Sequence, residues 1–298
     1  MRREPDHGRA LRPLRHVAPH GVTRRRPAET GGYGVGMSES DFETEWRQWQ
    51  ETRWQAASAP HGTAALLHTH WLAAEATEFD GAPGRWRADG ARIIGDSLPD
   101  RDTVHLAPGE EVEIDGVRLR GLDRDGSLAL RVIDPDAPSR ASLAGIEAYP
   151  PSLDRVVSGR FTPAAAGSTL DVTSVDGHES SAELGGTIDL EIDGVAVALT
   201  VTRDAFGLSA VLADATSGDE SYRFRFLRVP EPDADGLVAV DFNRAFLPPC
   251  AFSDQYVCPL PPVGNRWPVA LRAGERRATR HPVAGTGAGA DELGESAA

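Results

Sequence analysis

The dipeptide Asp-Gly occurs seven times in this chain, at 80–81, 89–90, 115–116, 125–126, 176–177, 193–194 and 235–236. No other feature constrains the fold as strongly. A tight hairpin turn needs positive φ at its centre, and Asp followed by Gly adopts it at little cost. Where such a pair separates two runs of alternating apolar and polar residues, the chain reads as two antiparallel strands. Glu111-Val112-Glu113-Ile114 and Val117-Arg118-Leu119-Arg120 flank Asp115-Gly116 in this way, as Ile188 to Ile192 and Val195 to Leu199 flank Asp193-Gly194. Further runs at 127–133, 155–161, 170–175, 208–212, 222–227 and 237–240 predict ten or so short strands in all. The expected class is therefore mainly β, an antiparallel meander forming a sandwich or barrel. One continuous unit is expected, with two β lobes parted at the Pro-rich stretch 135–151 as the alternative.

One helix precedes the strands. Ser40-Asp41-Phe42-Glu43 has the form of a capping box, in which serine and glutamate satisfy each other's orphan backbone amides. Phe42, Trp46 and Trp49 then fall on one stripe, Arg53 continues it to the edge of the buried face, and Pro60-His61-Gly62 ends it. The expectation is an amphipathic helix docked on the sheet.

The formal charge is −14, and Arg carries all the basic charge because the chain has no Lys. Eight Arg against Glu4, Asp6 and Glu29 make residues 1–36 locally basic, so the remainder is more acidic still. Such a surface repels phosphate backbones and anionic lipid, which argues against nucleic acid or membrane as a partner. No run approaches the ~20 apolar residues of a membrane span. Arg24-Arg25-Arg26 is not followed by the apolar stretch an export signal needs. The expectations are a cytoplasmic address and a disordered extension over 1–36, with Met37 as the natural start. A single β-rich domain is expected over 37–277, and a disordered Gly/Ala-rich tail over 278–298.

The stretch from Asp241 to Glu275 breaks the alternating pattern. It holds both cysteines, Cys250 and Cys258, and five prolines between Pro248 and Pro262. Proline fixes φ and removes a backbone donor, so this segment is neither helix nor central strand. It reads as a stiff extended loop presenting two thiols and the side chains of Asp241, Asn243, Arg244, Asn265, Arg266 and Glu275. Loops of this kind carry function more often than connecting loops do.

These residues resemble the signature of a bacterial family known as domain of unknown function 1684. The similarity rests on Asp241-Phe242-Asn243, Pro248-Pro249-Cys250-Ala251, Cys258-Pro259-Leu260-Pro261-Pro262, Asn265 and Gly274-Glu275. Asp214 to Gly218 with Tyr222 and Arg225-Phe226 is similar to a second family block, and Leu130 to Asp134 with Tyr149-Pro150 to a third. The resemblance spans roughly Ser40 to Arg277. Leu247 stands where the family usually has Asn, Arg223-Phe224 replaces a glycine-rich step, and the pattern around Thr63 to Leu72 is altered. The resemblance implies a β-rich domain without an assigned activity.

Several chemistries remain open. Cys250 and Cys258 can be structural thiols or a bridge, metal ligands, or a reactive pair. No histidine lies between His178 and His281, which excludes a compact zinc knuckle built on them, and no metal is expected. His68-Thr69-His70 is half of a metal site or, by preference, a polar segment facing water. If Arg131 and Arg225 point inward they need carboxylates such as Asp134, Asp214 or Asp241. Either those pairs are structural, or the arginines hold an anionic ligand oriented by Asn243 and Asn265. No Gly-x-Ser-x-Gly, phosphate loop or His-Glu-x-x-His is present, so catalytic residues and cofactor stay unassigned. The candidate ligand-binding set is Arg131, Asp134, Arg225, Asp241, Asn243, Cys250, Cys258, Asn265 and Glu275. The favoured function is binding of a small polar or anionic ligand beneath the 241–275 loop. The alternative is a hydrolase-like enzyme using a thiol, or a metal near it, with Asp241 or Glu275 as acid/base.

Overall fold

Asp115 and Gly116 both take positive φ, as a two-residue turn of this kind demands, and they join strands paired from Ile114↔Val117 outward. The same logic recurs along the computed structural model of the chain, which describes residues 38–281. Six of the seven Asp-Gly pairs join antiparallel neighbours directly, and the seventh precedes a strand at 237. The expectations for 1–36 and for the tail beyond 281 lie outside the described residues.

Helix α1 (Glu39–Ser58) comes first. Its cap is Ser38 rather than Ser40: the Ser38 hydroxyl accepts the Asp41 amide and is hydrogen-bonded to the Asp41 carboxylate. Both serines can cap, and the one three residues before Asp41 does so. Phe42 is buried, the Trp46 indole donates to the Asn243 carbonyl at 3.1 Å, and Arg53 reaches Glu275. The stripe docks as expected.

Two four-stranded antiparallel sheets follow. One uses β1 (Leu66–Trp71) with three strands that come later in the chain; the other is the meander β2 (Thr77–Phe79), β3 (Ala82–Asp89), β4 (Arg92–Asp96) and β5 (Thr103–Leu106). β6 (Glu111–Ile114), β7 (Val117–Arg124) and β8 (Ser127–Ile133) complete the first, in the order β1-β8-β7-β6. Trp86, Ile93, Ile114, Leu119, Leu130 and Val132 are at most 1% exposed and form their shared core.

The stretch 135–151 is more than a break. It holds a one-turn helix α2 (Pro138–Ala141) and β9 (Leu143–Ala148). A seven-stranded sheet follows, built from β10 (Val156–Pro163), β11 (Thr169–Thr173), β12 (Glu179–Ile192), β13 (Val195–Asp204), β14 (Gly207–Leu212), β15 (Arg225–Val229) and β16 (Leu237–Asp241). Its path is β15-β14-β13-β12-β10-β16, with β11 added to β12. β12 is longer than its expected 188–192 segment because the register shifts at Leu184/Gly186, where a bulge lets the strand bend and continue. Its first half pairs with β11 and its second with β10, so the sheet curls into an open half-barrel. The predicted strand at 222–227 begins later, at Arg225, because the Tyr222 amide bonds to the Arg276 carbonyl and not to β14.

Ile188, Leu199, Val201, Leu212, Val240 and Phe242 fill the core of this seven-stranded sheet. The described residues thus hold two β cores within one compact unit. The chain closes with β17 (Glu275–Arg280), paired with β9. That strand runs through residue 277, so Ala278 to Arg280 are laddered and not part of a tail.

Candidate functional site

The chain between β16 and β17 has no continuous ladder of its own, and its polar side chains replace one. An amide side chain carries the donor and acceptor of a peptide unit. Asn243, fully buried, accepts the Ser152 N–H at 2.9 Å and donates to the Ser152 carbonyl at 2.9 Å, as a strand neighbour would. Asp241 accepts the Asn243 backbone and side-chain donors at 3.0 and 2.8 Å and pairs with Arg244. Asn265 treats Thr200 in the same manner, accepting its N–H and donating to its carbonyl, both at 2.8 Å. Glu275 accepts from Arg53 through both oxygens, at 2.8 and 3.0 Å, and from the Leu247 N–H at 2.7 Å.

The arginines divide. Arg225 is fully buried and forms an ion pair with Asp214, whose other oxygen accepts the Thr216 and Leu271 amides at 2.8 and 3.0 Å. Arg225 also donates to the carbonyls of Leu271 and Ala273. Arg131 does not find Asp134, which instead accepts the Asp136 amide at 2.8 Å. Its guanidinium lies over the Tyr256 ring, 5.2 Å from the centroid, and burial lowers its pKa from the ordinary value. Asp134, Asp214 with Arg225, and the two asparagines are therefore committed to the protein's own backbone and charges. They do not converge on one point.

What converges is different. β13 and β14 pair only from Asp204↔Gly207 to Thr202↔Ser209. Beyond that they part, and the Asn265 amide spans the gap by donating to Thr200 and Val211 carbonyls at 2.8 and 2.9 Å. Beside this splay, on the face opposite Leu199, Val201 and Leu212, lies a cleft of about 250 Å³. Leu170, Val172, Ser180, Ala182, Thr200, Thr202 and Ser209 rise from the sheet, and Pro259, Leu260 and Pro262 form the lip over it. The lip is fixed by Val175 N–H to the Cys258 carbonyl at 2.9 Å and Leu260 N–H to the Thr173 carbonyl at 2.8 Å. No charged side chain lines the cleft.

The thiols form a second, separate group. The Cys250 N–H donates to Cys258 Sγ at 3.3 Å, which holds the two cysteines side by side. Both are free. Cys258 is buried against Ala213 and Phe224, whereas Cys250 is half-buried. The Tyr222 hydroxyl donates to the Cys250 carbonyl at 3.1 Å and lies 3.6 Å from its sulfur. The neighbouring Cys258 lowers the Cys250 thiol to about 7 against the opposing effect of burial, with Tyr222 and the Arg223 guanidinium helping. Cys258 is pushed up by the neighbouring Cys250 thiol and by its burial. Burial also raises Tyr222 to about 12.

His68 and His70 sit on β1 with ring centroids 5.0 Å apart; His70 stacks on Phe79 and bonds the Asp80 carbonyl at 2.9 Å. Among the described residues no three His, Cys, Asp or Glu side chains gather where a metal could be held. No described helix is long and apolar enough to cross a membrane.

The cleft hydroxyls were absent from the sequence-based set. Thr200 and Thr202 alternate with apolar residues, the pattern of a solvent face, and only the covering lip distinguishes them. Tyr222 and Arg223 were missed as thiol neighbours because tertiary structure alone brings them to Cys250.

Residues 141–276 match the family model described as Protein of unknown function (DUF1684), a shorter stretch than the sequence resemblance covered. An uncharacterized protein from Haloarcula marismortui, solved by solution NMR, is 30% identical. The similarity covers 45% of this chain and 76% of that one, with a TM-score of 0.37. No curated protein matches the chain.

Proposed function

We propose, for a chain whose residues 141–276 belong to this family of proteins of unknown function, that it binds a small, uncharged, largely apolar ligand beneath the proline lip. One observation carries the reading: a cleft of about 250 Å³ with an apolar wall, several hydroxyls and no charge. Binding sites are typically concave and mostly apolar, with a few polar groups fixing orientation. Ser180, Thr200, Thr202 and Ser209 are placed to supply those groups. An anion here would lose its hydration with no cation in the lining to replace it. The ligand thus sits under the loop singled out by sequence, while its polarity follows the cleft and not the arginines. The acidic balance disfavours nucleic acid and anionic membrane as partners.

The enzyme reading has less support. Asp241 and Glu275 are engaged by Asn243, Arg244, Arg53 and the Leu247 amide, and the groups hydrogen-bonded to the thiols are Tyr222 and the cysteines themselves.

Titration of the full chain with phenylnaphthylamine, an uncharged fluorescent probe, tests the proposal. Ala182→Trp would fill the cleft from β12 and should weaken binding by about tenfold or more, a change of about 1.4 kcal/mol per decade. The anionic sulfonated analogue should bind the native chain more weakly than the neutral probe. Equal affinity in the native chain and the Ala182→Trp variant, or a preference for the anion, would defeat the reading.

A further inference from the structure

We propose that Cys250 and Cys258 form a peroxide-responsive dithiol, in which Cys250 is the attacking sulfur and Cys258 the resolving one. The inference goes beyond ligand binding and does not depend on it. It rests on how differently two adjacent thiols are placed.

Cys250 is half-buried and therefore reachable, with the Tyr222 hydroxyl 3.6 Å from its sulfur and the Arg223 guanidinium as the neighbouring positive charge. Cys258 is 5% exposed and packed against Ala213 and Phe224. It is withheld from solvent yet held beside its partner by the Cys250 N–H at 3.3 Å. Arg131 lies further off, over Tyr256, and contributes to the field at Cys258. A thiolate is the nucleophile, and electropositive, partly exposed surroundings favour it, whereas apolar burial disfavours it. The shifts run the same way, with the Cys250 thiol lowered and the buried Cys258 thiol raised.

The chemistry balances with a hydroperoxide as oxidant. The Cys250 thiolate attacks the distal peroxide oxygen, forming an S–O bond and breaking O–O. The leaving oxygen takes a proton and departs as water or an alcohol; the sulfur has lost two electrons and the peroxide has gained them. Cys258 then loses its proton and attacks the sulfenic sulfur. An S–S bond forms, S–O breaks, and hydroxide leaves with that proton as water. The product disulfide spans 250–258, the segment that runs into the lip at Pro259.

The test uses the reduced full chain, treated with hydrogen peroxide, then alkylated under denaturing conditions and weighed intact. The native sequence should lose two hydrogens and take up no alkylating agent. Cys258→Ser should stop at a sulfenic acid on Cys250 that dimedone captures, and Cys250→Ser should leave Cys258 reduced. Two alkylatable thiols after excess peroxide, or Cys250→Ser oxidising as fast as Cys258→Ser, would overturn the proposal. If a variant fails to fold, native-state alkylation of the unmutated chain still decides it. Cys250 should react about tenfold faster than Cys258 at neutral pH, with a rate midpoint near pH 7. Faster reaction at Cys258 would refute it.

Discussion

The hairpins and the proline loop are both rigid, for opposite reasons. In the hairpins the backbone does the work: Asp-Gly turns set the register, and strand ladders satisfy the peptide groups locally. Between β16 and β17 the prolines have removed donors and no ladder runs through, so scattered backbone bonds are supplemented by side chains that satisfy peptide groups. Asn243 and Asn265 each pair with both backbone groups of one distant residue, and Glu275 and Asp214 each accept backbone amides from other segments. A concentration of buried polar residues in a ladder-free segment therefore signals backbone replacement as readily as it signals chemistry. Here the polar residues build the wall, and the open space lies beside them.

Breaking the deepest pin should show the largest effect. Arg225 and Asp214 are both fully buried at their side chains. Removing one partner strands a charge without water, which costs about 3–5 kcal/mol. Arg225→Ala and Asp214→Ala should each lower the urea-unfolding free energy by that amount. The double replacement Arg225→Met with Asp214→Leu should be less damaging than either, since an apolar pair leaves no orphan charge. If each single substitution cost under 1 kcal/mol, the loop would not depend on its polar pins.

Gly274 comes next. Its φ is +75°, and a Cβ there would press into the Ala245 carbonyl oxygen and stand 2.9 Å from the Phe242 oxygen. Backbone atoms cannot swing aside as a flexible side chain can. Gly274→Ala should therefore cost about 3 kcal/mol, strain and overpacking together.

Asn265→Ala removes three hydrogen bonds and leaves the Thr200 and Val211 groups to find water, for a loss of about 2 kcal/mol. Asn243→Ala should cost a similar amount. The two should separate on ligand binding, because Asn265 borders the cleft and Asn243 does not. Phenylnaphthylamine affinity should fall in the first and hold in the second. Equal affinities would mean that the splay between β13 and β14 is independent of its wedge.

How much of this was legible follows from range. The hairpins at 115–116 and 193–194 were readable because their cause is local, in two turn residues and an alternating flank. The full length of β12 was not, because continuation past Gly185 and Gly186 depends on β10 and β11 pairing to either side. Asn243, Asn265 and Glu275 stood out as polar side chains in a proline-rich segment, and Arg225 as an arginine that needs a carboxylate if it points inward. Their partners, Ser152, Thr200, Arg53 and Asp214, belong to other elements, so sequence could not say whether they faced a ligand or the chain itself. The cleft was illegible for a related reason: serines and threonines on alternating strands look solvent-facing until a lip from residues 259–262 covers them.

The smallest effect is expected in the hairpins, and it sharpens the contrast with Gly274. Gly116 has nearly the same backbone, φ +80°, yet a Cβ at this turn would meet nothing within 4 Å. Only the intrinsic penalty of left-handed backbone remains, about 1 kcal/mol for alanine. Gly116→Ala should thus lower stability by about that much and leave probe binding unchanged, whereas Gly274→Ala should cost about three times more at nearly the same dihedral angle. Urea unfolding of the two variants side by side isolates what the loop's close backbone packing adds to a strain both sites share. Equal losses would place the whole penalty in the dihedral angle and remove the distinction between a segment held by its ladder and one held by contact.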